Sequence, residues 1–249
     1  MTGSDTAAQI AYLARVLKAP ALRESAERLA ATARENGWTH AEYLAACLEA
    51  EVATRSAHGA ANRIRAAGFP ARKTLEDFDF DHQRSVRRDH ILHLATLDFI
   101  TARTNIVLLG PPGTGKTMLA TGLGIKACQA GHRVLSATAA AWTDKLTAAH
   151  RAGRLQAEIT RLGRYPLLVI DEIGYIPFEA EAANLFFQLI SARYETASVI
   201  VTSNKPFSSW GEIFGDDTVA AAMIDNRSKH GFSRPRWGRM TACQQVSAC

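Results

Sequence analysis

The sequence predicts an α/β protein: a parallel sheet with helices between its strands, preceded by a small all-helical region. Three observations carry this. Short apolar runs at Asn105–Leu109, Val134–Ala137, Leu167–Ile170 and Val199–Thr202 alternate with helical stretches, the pattern of a parallel sheet. A glycine-rich segment joins the first of these runs to a helix. Residues 1–70 show helical periodicity and no strand signal.

The chain has 249 residues, 47% hydrophobic and 21% charged, enough to bury a core without covalent staples. No uncharged apolar run approaches the roughly 18 residues of a membrane helix, and no basic segment leads into an apolar one at the N-terminus. The four cysteines, Cys47, Cys128, Cys243 and Cys249, have no CxxC spacing. They read as free thiols, and the expected location is cytoplasmic. Five of the basic residues follow Asp225, with no acid among them, and the preceding residues carry 24 of each sign. The net charge of +5 therefore belongs to the tail and says little about nucleic-acid binding by the body.

In chain order, Ile10, Leu13 and Leu17 mark a first helix. Pro20 opens a second, with Leu22, Ala26, Leu29 and Ala33 on one face and Gly37 as its stop. Thr39 and Glu42 have capping-box spacing ahead of Tyr43, Leu44, Leu48 and Val52. The alanine-rich run to Arg65 continues as helix until Gly68, Phe69 and Pro70. The domain reading is a helical N-terminal domain over 1–70, a linker over 71–84, a core over 85–225 and a divergent basic tail over 226–249. In the linker, acids and aromatics alternate through Glu76, Asp77, Phe78, Asp79 and Phe80, a strap whose phenylalanines pack on the next domain. One helix is expected from about Ser85 to Arg103.

Residues Gly110, Pro111, Pro112, Gly113, Thr114, Gly115, Lys116 and Thr117 spell GxxxxGK[ST], the P-loop, with a strand before and a helix after. The glycines let backbone N–H groups face a phosphate, and the helix N-terminus adds its dipole. Lys116 is expected to reach the β- and γ-phosphates of ATP, and Thr117 to hold Mg²⁺. Leu167–Ile170 ends in Asp171 and Glu172: Asp171 for Mg²⁺, Glu172 as the base that polarises an attacking water. The acid pair favours hydrolysis over a small-molecule kinase. Asn204, at the end of the 199–202 run, is the candidate polar sensor of the γ-phosphate. Arg151, Arg154, Arg161 and Arg164 share one broad face if their segment is helical, either as a duplex-phosphate stripe or as a solvated face with Glu158 as local partner. His90 and His93 lack further ligands nearby, and Trp142 and Trp210 read as packing residues.

The chain resembles the IstB-type ATPases, transposition helpers of insertion sequences close to the DnaC-type helicase loaders within the AAA+ class. The resemblance runs through Ile224 and is most specific over 148–176, 181–194 and 201–215. It implies an AAA+ core with a parallel five-stranded sheet behind a helical domain. It also implies an ATP-dependent homo-oligomer on double-stranded DNA and a DDE-type transposase as partner. The alternatives are a helicase loader, or an ATP-binding DNA adaptor with impaired hydrolysis. The pattern departs at the end: Asn226 stands at the family's arginine-finger position, with Arg227 one place later and no Ser-Tyr-Arg element after it.

Overall fold

The computed structural model describes residues 3–174 and 178–214; Asn226, Arg227 and the basic tail lie outside them. The chain divides into two compact units that part at Asn62 and Arg63, inside a helix. In the first unit are α1 (Gly3–Val16), α2 (Pro20–Asn36) and most of α3 (His40–Ala67). Pro20 sits in the first turn of α2, and Gly37, left-handed at φ 65°, closes it by donating to Ala33 O. The capping box forms: Thr39 N–H donates to Glu42 at 2.7 Å, and Glu42 N–H donates to Thr39 Oγ1 at 3.3 Å.

Within this unit the helices meet through small residues, Ala14, Ala19, Ala26 and Cys47. The enclosed carboxylate of Glu51 accepts from Leu22 N–H and Arg55, and Arg55 also caps the Leu17 and Lys18 carbonyls at the end of α1. The apolar residues that mark α1 and α3 in the sequence face outward, since Leu13, Leu17, Leu44, Leu48 and Val52 are all exposed, whereas the α2 stripe of Leu22, Ala26, Leu29 and Ala33 is buried or half-buried.

The second unit begins with the last turn of α3, where Ile64 and Ala67 join its core. After the strap come α4 (Arg88–Leu94), α5 (Asp98–Thr101), β1 (Ile106–Leu109), α6 (Lys116–Gln129), β2 (Val134–Thr138) and α7 (Ala139–Arg151). They are followed by α8 (Leu155–Gly163), β3 (Leu167–Ile173), α9 (Ala180–Arg193), β4 (Ser198–Ser203) and α10 (Trp210–Phe214). The single helix expected over 85–103 is instead two short ones. Thr96 Oγ1 donates to His93 O and Leu97 turns left-handed at φ 67°, so a local side-chain bond replaces the helical ladder.

All strand pairs are parallel, in the order β1-β4-β3-β2. Among the described residues the sheet has four strands, where five were expected. Alternate strand residues serve two cores. Ile106, Leu108, Leu167, Val169 and Ile200 pack with α6, while Val107, Leu168, Ile170, Val199 and Val201 pack with α7, α8 and α9. This is why the strands read as continuous apolar runs. Trp142 and Trp210 are both fully buried, as packing residues should be. No described helix is long and apolar enough to cross a membrane.

The strap and the Phe69 that precedes it lie along α6 because glycines leave room for them. A Cβ at Gly122 would come within 3.0 Å of the Leu75 backbone nitrogen, and one at Gly124 within 2.6 Å of the Phe69 ring. Gly122→Ala is expected to destabilise the protein by about 1–2 kcal/mol, because overpacking against backbone outweighs the roughly 1 kcal/mol gained in helix propensity. A thermal melt of the variant checks this; a midpoint at or above wild type contradicts it.

Candidate functional site

The P-loop forms where β1 stops. Gly110 N–H donates to Ser203 O at 3.2 Å, tying the loop to the end of β4. Gly113 and Gly115 adopt φ 82° and 81°, conformations that cost a side-chain-bearing residue. α6 then starts at Lys116 with Gly115 as its N-cap, which has no side chain to accept from the first-turn N–H groups. No acid occupies that turn. The result is a cradle of donors with a helix dipole behind it, suited to an anion.

Lys116 folds over this cradle. Its Nζ donates to Pro111 O at 2.7 Å and to Thr114 Oγ1 at 3.4 Å, and Thr114 Oγ1 donates to Pro111 O at 2.9 Å. Burial lowers the Lys116 pKa, against the opposing pull of Asp171. The ammonium thus sits half-desolvated with only neutral oxygens in direct contact, ready for a stronger anionic partner.

Asp171 is buried at the carboxyl end of β3, and its Oδ1 accepts from Thr117 Oγ1 at 3.0 Å and from Thr202 Oγ1. Glu172 follows with its side chain exposed and its backbone left-handed at φ 63°. Its N–H donates to Thr202 Oγ1 at 2.9 Å. Asn204 comes directly after β4, the strand between those that carry the P-loop and Asp171. Its Oδ1 is enclosed and has no hydrogen-bond partner among the described residues. Three parallel strands therefore deliver Lys116 and Thr117, Asp171 and Glu172, and Asn204 to their common carboxyl ends, where ligands of open α/β sheets bind.

The thiol-free, nitrogen-free pair of Thr117 and Asp171 oxygens suits a hard cation such as Mg²⁺, which takes one or two protein oxygens and keeps waters. A cavity of about 580 Å³ lies beside the strap, lined by Leu75, Phe78, Phe80, Asp79, Arg84 and Val86 among others. Phe78 also borders the P-loop, since a Cβ at Gly115 would sit 2.6 Å from its ring. The strap phenylalanines pack on the core as expected; that they also wall a cavity was not foreseen.

The four arginines do not lie on one helix. α7 ends at Arg151, Gly153 turns left-handed at φ 66°, and α8 starts after Arg154. Arg161 makes a paired contact with Glu158, 2.8 Å at each nitrogen, and Lys145 adds a second cation at 3.6 Å. Arg151, Arg154 and Arg164 are exposed.

Residues 12–232 match the family described as IstB-like ATP binding proteins. The chain belongs to this family. The match passes Ile224 by eight residues, into the divergent tail. Among its relatives, a protein of insertion sequence IS21 from Pseudomonas aeruginosa, named for ATP binding, is 42% identical over 86% of this chain and 81% of its own. One of insertion sequence IS5376 from Geobacillus stearothermophilus, named likewise, is 38% identical over 86% and 85%. Among solved structures, AMPPCP-bound DnaA from Aquifex aeolicus superposes with a TM-score of 0.55 at 18% identity, over 64% of this chain and about half (49%) of DnaA. DnaI does so with 0.51 at 17%, over 62% and 86%. At such identities these two likenesses bear on the fold alone, which is the AAA+ P-loop fold. In this IstB-like chain the P-loop segment 110–117 and the Asp171–Glu172 pair both lie inside the matched residues.

Proposed function

We propose that the chain is a Mg²⁺-dependent ATPase that, with ATP bound, assembles with copies of itself on double-stranded DNA and presents that DNA to a DDE-type transposase. The observation that supports hydrolysis best is the joint at Asp171: Thr117, Asp171, Thr202 and Glu172 are linked by hydrogen bonds at the carboxyl end of β3. The insertion-sequence names of its relatives favour transposition over helicase loading.

The first-turn N–H groups of α6 hold the phosphates, and Lys116 exchanges its Pro111 carbonyl for the β- and γ-phosphate oxygens. Thr117 would hold Mg²⁺ by its hydroxyl and Asp171 through a water, and the ion would supply positive charge to offset that developing on the transferred phosphoryl group. Glu172 accepts a proton from water as the water oxygen bonds to the γ-phosphorus. The bond from that phosphorus to the bridging oxygen breaks, and ADP and phosphate leave. The enclosed Asn204 amide orients the water. The strap cavity beside Phe78 takes the base. Arg151, Arg154 and Arg164, the exposed members of the four, contact duplex phosphates, while Arg161 is held by Glu158.

Phosphate release measured with and without duplex DNA tests the hydrolysis, and sedimentation on DNA with ATP or ADP tests the assembly. Turnover stimulated by DNA and nucleotide-dependent assembly are expected. Tight ATP binding without turnover would instead favour the adaptor reading that Asn226 raises. For the DNA face, Arg151→Glu with Arg154→Glu is expected to weaken binding and flatten its salt dependence, by roughly 0.9 in log–log slope for each phosphate no longer neutralised. An unchanged slope shows a solvated face.

A further inference from the structure

In the ladder between β3 and β4, Ile170 pairs with Val201 and Ile173 with Ser203. Between those pairs β3 holds two residues, Asp171 and Glu172, and β4 holds one, Thr202. This is a bulge, and it contains both acids of the nucleotide site. A bulge leaves ladder groups without strand partners and re-aims side chains. Here the Thr202 side chain takes the place of the absent ladder bonds. Its hydroxyl accepts from Glu172 N–H at 2.9 Å and donates to Asp171 Oδ1. Thr202 is 1% exposed, so water does not substitute for it.

We infer that Thr202 is a positioning residue of the nucleotide site, its one hydroxyl setting both the carboxylate that faces Mg²⁺ and the backbone that presents the water-activating acid. The inference rests on the hydrolytic reading above for Glu172 and on the Thr117–Asp171 pair for the metal. Two observations separate it from an ordinary buried threonine. Glu172 is the residue held left-handed, a conformation that persists only when its surroundings impose it. Asp171 Oδ1 is shared between Thr202 and Thr117, so the orientation of the carboxylate is coupled to the P-loop helix. Threonine suits the task because β-branching limits its rotamers and its hydroxyl both donates and accepts. Valine keeps the shape and loses both bonds; serine keeps the hydroxyl.

The test compares Thr202→Val and Thr202→Ser in the full chain. ATP affinity is measured in Mg²⁺ and in EDTA, alongside kcat and KM for phosphate release. Thr202→Val is expected to lower kcat and the Mg²⁺-dependent gain in ATP affinity by about 10- to 100-fold each, the usual effect of losing a partner that orients a metal ligand. Its ATP affinity in EDTA is expected to stay at the wild-type level, because the P-loop cradle does not use Thr202. Thr202→Ser should recover most of both losses. Wild-type kcat and Mg²⁺ dependence in a folded Thr202→Val overturn the inference. So does a serine variant as impaired as the valine one, which would assign the effect to the methyl group. If Thr202→Val does not fold, Thr202→Ala removes the same hydroxyl with less crowding and is judged by the same criteria. If the wild type itself shows no turnover, the hydrolytic reading fails, and Thr202 is judged on Mg²⁺-linked affinity alone.

Discussion

Lys116→Ala is expected to abolish measurable ATP binding at micromolar nucleotide. In the free protein the ammonium is folded onto Pro111 O, with Thr114 Oγ1 beside it. Those neutral oxygens accept from two of its three donors without neutralising its charge, so most of its electrostatic value is realised only with a phosphate. Removing one partner of a desolvated charge pair costs about 2–5 kcal/mol, or roughly 30- to 4000-fold in affinity. The pH dependence follows from the same group. Burial holds its pKa below that of an ordinary lysine. Phosphate favours the charged form, so binding raises that pKa again. Affinity is therefore full below the pKa of the free protein's Lys116 and falls as pH rises through it, starting at lower pH than an ordinary lysine would. Calorimetric titration from neutral to alkaline pH measures this. A Lys116→Ala protein that binds ATP within a few-fold of wild type would refute the P-loop assignment.

Much of this site was legible because its chemistry is local in the chain. Eight consecutive residues make the cradle, and the Asp171–Glu172 pair directly ends an apolar run. The parallel sheet was legible for a related reason: strands buried on both faces leave runs without polar interruption, and β1, β3 and β4 all do so. Thr202 was not legible as a site residue. In sequence it is a β-branched residue inside a strand, which is what strands hold anyway. Its role depends on the bulge in β3, and nothing in the composition of 167–173 marks where pairing slips. The break at Leu97 carried no glycine or proline, the usual sign of a helix end. Gly153 did carry such a sign, and it divides the arginine segment into two helices rather than one. The cavity beside Phe78 required knowing that the strap folds back on the P-loop, a contact between residues far apart in sequence.

Glu172→Gln is expected to keep ATP binding and lose turnover. The side chain is exposed and no described residue holds it, whereas its backbone is held by Thr202. Glutamine occupies the same volume, accepts the same backbone geometry and leaves Asp171 and Thr117 untouched. What it lacks is a site for the proton that water releases as it bonds to phosphorus. Loss of a general base typically costs about 10²–10⁴ in rate. The effect should appear in kcat with little change in KM, since the interaction is made only as the proton moves. Asp171→Asn makes the contrast. Its carboxylate accepts from both Thr117 and Thr202, so replacing it disturbs Mg²⁺-dependent binding as well as turnover. Assembly on DNA separates the two further: under the proposed function assembly needs bound ATP and release needs hydrolysis, so Glu172→Gln should hold its ATP-bound assembly longer than wild type. Single-turnover phosphate release and the lifetime of DNA complexes after dilution measure these outcomes. Wild-type turnover in Glu172→Gln would remove Glu172 as the base and move the search to other carboxylates near the carboxyl ends of β3 and β4.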